Sequence, residues 1–70
     1  MEPKQRLGAN VRVLRDSAGL TQMQLANRCG IDMAEISRIE RGLKDVRVST
    51  IAKVAQGLGV PAGDLLTGIP

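Results

Sequence analysis

The chain contains no histidine, no phenylalanine, tyrosine or tryptophan, and one cysteine. Each absence removes a class of function. Without histidine, and with Cys29 alone, the usual acid/base and nucleophile pairs cannot be assembled. A zinc site lacks its nitrogen and sulfur ligands, and Met1, Met23 and Met33 form no metal-site pattern. The expectation is a protein that is not an enzyme and uses no cofactor or metal, with no small-molecule ligand evident. One cysteine forms no internal disulfide, which suits a reducing cytoplasm. No run of about 18 apolar residues exists to span a membrane, and Met1–Gln5 lacks the apolar stretch of a signal peptide. Without aromatic residues the core must come from Leu, Ile, Val, Ala and Met. A domain of this size buries only about 60% of its unfolded surface, so each apolar position counts.

What is present is periodicity. Leu7, Val11, Leu14 and Ala18 lie at 4, 3, 4 spacing, one stripe of a helix. That predicts a first helix from Pro3 or Lys4 to Ala18, stopped by Gly19. Gly8 lies inside it, at a cost of about 1 kcal/mol against alanine, and admits close backbone packing. Thr21 with Gln24, and Asp32 with Glu35, each have the spacing of a capping box. They predict a second helix from Thr21 to Cys29-Gly30 and a third from Asp32 to Arg41-Gly42. Ser49 is placed to cap a fourth helix carrying Ile51, Val54, Ala55 and Leu58 and ended by Gly57 and Gly59. A last short helix runs from Pro61 to Leu66. The fold class is all-α: a compact five-helix arrangement, with residues 1–70 as one domain.

Residues Gln22 to Ile39 carry the functional signal. Ala26 is small enough for a second helix to approach its backbone. Gly30 can take the left-handed conformation that turns the chain. Leu25, Ile31, Ile36 and Ile39 pin the second of these helices onto the first. This is a helix-turn-helix, over about residues 21–41, which presents its second helix to the major groove of DNA. With Ile36 and Ile39 buried, Arg38 points about 160° away from Ile36, and its fork matches the two acceptors of guanine. Arg41, Lys44 and Arg47 recur every three residues, a spacing that can follow a phosphate strand. Gln22 stands at a helix N-terminus, where free N–H groups favour anions. Asp32 reads as a cap in preference to a DNA contact, and Cys29 as a small buried apolar residue. The net charge of +3 is compatible with a polyanionic partner without specifying one.

The combination Leu7-Gly8, Val11-Arg12, Leu14-Arg15, Gly19-Leu20-Thr21-Gln22, Leu25-Ala26, Gly30-Ile31, Ile36-Ser37, Ile39-Glu40-Arg41-Gly42, Ala55 and Leu58-Gly59-Val60 resembles the phage-repressor (Cro/repressor, Xre-type) helix-turn-helix family. The resemblance covers about Leu7 to Leu66. The spacing from Glu40-Arg41-Gly42 to Ile51 is also similar to that of controller proteins of restriction–modification systems. It implies a five-helix domain that binds operator DNA, usually as a dimer. In that pattern Gln22 contacts a backbone phosphate, and Arg15 and Glu40 form a partly buried ion pair. Asp32, Met33, Ala34, Ser37 and Arg38 face the DNA. Met33 and Ala34 replace residues that are often glutamines; they cannot make the bidentate amide contact to adenine, which leaves an apolar contact with a thymine methyl. Asn10 stands where a basic residue is common, which removes one phosphate contact.

Together these readings give a cytoplasmic, sequence-specific regulator of transcription. Its partner is double-stranded DNA, recognised by operator occupancy, with Met33, Ala34, Ser37 and Arg38 at the bases. Gln22, Arg41, Lys44 and Arg47 fall at the phosphates. Val60, Leu65, Leu66 and Ile69 exceed what a short last helix needs to close a small core; residues 65 and 66 lie about 100° apart on a helix, so not all four face inward, the alternative being that Leu65 and Leu66 both cap the core. They predict a homodimer interface and hence a palindromic operator. An alternative is an antitoxin-like interaction module with secondary DNA binding, because only Asp64 is charged between Val54 and Pro70.

Overall fold

Four α-helices and one short 3₁₀ helix, with no strand, make up the computed structural model, which describes all 70 residues. Helix α1 spans Pro3–Ser17, α2 Gln22–Cys29, α3 Met33–Glu40 and α4 Val48–Leu58; Ala62–Leu66 forms the 3₁₀ helix. None of them is long and apolar enough to cross a membrane.

The helix ends follow local chemistry. At α1, Pro3 occupies the first turn, where its missing N–H is not needed. At α2 both halves of the capping box form: Thr21 Oγ1 accepts from the Gln24 N–H (3.0 Å) and Gln24 Oε1 accepts from the Thr21 N–H (2.9 Å). Gly30 ends α2 at φ +70°, a conformation that costs a side chain steric strain.

Four expectations need correction. Asp32 stands at the N-cap of α3, but its carboxylate makes no cap hydrogen bond. Glu35, the other half of that expected box, turns instead to two cations, which offer the stronger charge-assisted bonds. Helix α4 starts before Ser49, with Arg47 as its extended N-cap, because the Arg47 carbonyl already accepts from the Ile51 N–H (2.9 Å). Gly57 does not end α4; it is buried inside the helix, and Gly59 (φ +72°) ends it. The fifth helix is a 3₁₀ segment of five residues. Between Pro61 and Gly68 there are too few residues to repay nucleation of an α-helix.

The core is wholly aliphatic apart from Cys29. Leu25, Ile36, Ile39, Leu65, Val11 and Val54 are its largest fully buried side chains. Helix α1 packs on α3 and on the 3₁₀ helix, and α2 packs on both α3 and α4. Gly8 is where α1 meets the end of α3: a Cβ there would collide with the carbonyl oxygens of Ile39 and Glu40. Asn10 pins the C-terminal segment to α1, its Nδ2 donating to the carbonyls of Leu65 (2.9 Å) and Thr67 (2.8 Å).

Candidate nucleic-acid interface

Helix α3 is divided into two faces. Ile36 and Ile39 are buried, while Met33, Ala34 and Arg38 are exposed and Ser37 is half-buried. Ala26 is buried where α2 meets α3, and the N–H groups of Gly30 and Ile31 both donate to its carbonyl, closing the turn. The joint at Ala26 and Gly30 therefore holds Ile36 and Ile39 inward and leaves Met33, Ala34 and Arg38 outward.

The N-terminus of α2 is fastened to the C-terminus of α3 through one carboxylate. Arg15 reaches Glu40 with two parallel hydrogen bonds, Nε to Oε2 at 2.6 Å and Nη2 to Oε1 at 3.0 Å. Gln22 Nε2 donates to the same Oε1 at 3.1 Å. Arg15 Nη1 also donates to the Leu20 carbonyl at 2.8 Å. The Arg15 and Glu40 side chains are 12% and 4% exposed, so the pair is nearly dry. Hydrogen bonding to Glu40 raises the Arg15 guanidinium above its ordinary pKa, against the opposing effect of burial. The sequence places Gln22 at a phosphate. The structure gives its amide a protein partner while leaving the residue half-exposed, with a second N–H on Nε2 unused.

Glu35, whose spacing from Asp32 in the sequence signals only a cap, faces two cations. Its Oε1 accepts from Arg38 Nη2 at 3.2 Å and its Oε2 from Lys44 Nζ at 2.6 Å. The hydrogen bond from Lys44, and then that from Arg38, lower its carboxyl pKa from the ordinary 4.5, against the effect of burial. The i,i+3 spacing to Arg38 was a legible signal; the nine-residue reach to Lys44 depends on how the loop folds. Arg41 and Arg47 are exposed and make no ion pair. Arg41 makes only a long bond, from Nε to the Ser37 carbonyl at 3.4 Å.

The four residues expected at a dimer contact separate. Leu65 is 1% exposed and belongs to the core, so it is withdrawn from any contact between copies. Asn10 holds its backbone inward. Val60 and Ile69 are half-buried against the core, and Leu66 remains 43% exposed. Leu66 and Ile69 border an open groove of about 180 Å³ lined also by Pro3, Lys4, Leu7, Asp45, Val46 and Ile51.

Residues 6–67 match the family described as a helix-turn-helix domain. The chain is 40% identical over 60 residues to a hypothetical transcription factor of Neisseria meningitidis, an alignment that covers 86% of this chain and 57% of that protein. It is likewise 40% identical over 60 residues to the control protein C.BamHI of Bacillus amyloliquefaciens, covering 84% of this chain and 74% of the relative. Among solved structures, the restriction-modification controller protein C.AhdI from Aeromonas hydrophila superposes with a TM-score of 0.86 at 32% identity, over 89% of this chain and 94% of that one. The chain thus spans little more than half the length of the Neisseria relative.

Proposed function

Because this chain belongs to the helix-turn-helix domain family, we propose that it regulates transcription by occupying a specific site on duplex DNA, with α3 in the major groove. The observation that carries this is the two-faced α3: an aliphatic face locked into the core, and an outward face of Met33, Ala34, Ser37 and Arg38. Arg38 supplies a fork for guanine, and Met33 and Ala34 an apolar surface for a thymine methyl. Arg41 and Arg47 approach phosphates beside the groove. Gln22 reaches another phosphate with its free N–H, while Glu40 holds the amide in place. Lys44 reaches the backbone only by leaving Glu35.

The regulator acts as a two-fold pair on a palindromic operator. Leu66, with the exposed edge of Ile69 and the groove that the two border, supplies the apolar contact, and half-buried Val60 adds its exposed edge. A two-fold contact is the commonest oligomeric solution, and it sets two copies of α3 about 34 Å apart, one turn of DNA. Selection of bound duplexes from a random library, followed by sedimentation of the complex, tests both points. The expected result is a palindromic site bound by two chains. Retention of no duplex above background, or a one-to-one complex on a site without symmetry, would contradict it.

A further inference from the structure

The segment from Asp32 to Arg47 holds four cations, Arg38, Arg41, Lys44 and Arg47, and four carboxylates, Asp32, Glu35, Glu40 and Asp45. Glu40 is committed to Arg15. Of the others, Glu35 alone pairs with cations of this segment, and it takes two of them. We propose that Glu35 is a specificity-determining residue for DNA binding, holding Lys44 off the phosphate backbone and orienting Arg38, so that contact with unrelated sequence is weakened more than contact with the operator. This rests on the reading of α3 as the helix that enters the groove.

Binding to unrelated DNA is almost entirely a matter of phosphates neutralised. Lys44 is 38% exposed and sits 2.6 Å from Glu35 Oε2. To reach a phosphate it must exchange one charge-assisted bond for another, and it would leave a carboxylate with one partner fewer beside a polyanion. Lys44 therefore stays with Glu35, and the surface meets any duplex with one cation fewer than the sequence suggests. Arg38 is treated differently. Glu35 engages Nη2 only. The guanidinium has five N–H donors, and those left free can still meet the two acceptors of guanine. A carboxylate one turn back on the same helix also limits the rotamers that Arg38 must give up on binding. Glu35 thus subtracts from the sequence-independent attraction and supports the sequence-dependent contact.

The test compares wild type, Glu35→Gln, Lys44→Met and the double variant on two duplexes of equal length, the selected site and a scrambled one, over a range of salt. Glu35→Gln should steepen the slope of log K against log salt on scrambled DNA by about 0.9, one more phosphate, and tighten that binding about eightfold near 0.1 M salt. Its ratio of operator to scrambled affinity should fall. Lys44→Met alone should leave the scrambled slope unchanged, and in that background Glu35→Gln should no longer steepen it. The proposal is overturned if Glu35→Gln leaves both slopes at the wild-type value, or if Lys44→Met shallows the slope by a full phosphate. It is also overturned if Glu35→Gln alters the selected base at one position, which would make Glu35 a direct reader of cytosine. A wild-type protein that binds neither duplex sinks the DNA-binding reading, and one that binds both equally sinks the specific-site reading; either takes the proposal with it.

Discussion

A Cβ on Gly57 would lie 2.5 Å from Cys29 Sγ: the buried thiol of α2 occupies the space that a side chain on α4 would need. Alanine in place of an interior helical glycine ordinarily stabilises by about 1 kcal/mol. Here Gly57→Ala should instead destabilise by about 1–3 kcal/mol through overpacking. Cys29→Ala in the same chain should recover much of that loss. Urea unfolding of the two single variants and the double checks this, and a Gly57→Ala protein as stable as wild type would show that the helices can move apart freely.

The Arg15–Glu40 pair should be costly to break from one side. Glu40→Ala leaves Arg15, 12% exposed, with only the longer contact to exposed Asp16 at 3.4 Å and should cost about 3 kcal/mol, the low end for breaking a buried pair from one side. Removing both partners should cost less than the sum of the single losses. Additive losses in a double-mutant cycle would mean that the two residues act independently.

Arg41 and Arg47 should set the salt dependence of DNA binding. Each one changed to alanine should shallow the slope of log K against log salt by about 0.9, one phosphate's worth. Titrations at several ionic strengths measure this. An unaltered slope in the double variant would remove the α3–α4 loop from the phosphate backbone.

Acid should expose the ion pairs of Glu35. Its folded-state pKa lies below the ordinary 4.5, with the Lys44 hydrogen bond the leading cause. The unfolded chain therefore binds the proton more readily than the folded one. The pairs contribute stability in full above the ordinary value and lose it as pH falls through the folded value. Wild type should lose more stability than Glu35→Gln between about pH 5 and pH 3. Parallel curves of urea midpoint against pH would contradict the pairing.

Much of the fold was legible because helix signals are local. The Leu7–Val11 stripe, the Thr21–Gln24 box and the turn at Gly30 all follow from spacings of a few residues. What was not legible depends on contacts between distant segments. Gly57 looked like a stop because nothing nearby in sequence shows that Cys29 lies against it. Asn10 looked like a missing phosphate contact, whereas it ties the C-terminal segment to α1 across 55 residues. Leu65 and Leu66 looked equally available for a contact, but a 3₁₀ helix anchored through Asn10 turns Leu65 into the core. At the candidate site, Arg15 and Glu40 were paired only through the family pattern, since 25 residues separate them. The role of Glu35 needed the position of Lys44, which the loop sets.

The most direct test of α3 as the reading helix is duplex selection by wild type and Arg38→Ala side by side. The variant should lose preference at one base pair in each half-site and bind the wild-type operator about 1–3 kcal/mol more weakly. An unchanged selected sequence, with affinity reduced equally for every duplex, would show that Arg38 meets only phosphate and that the outward face of α3 does not read bases through it.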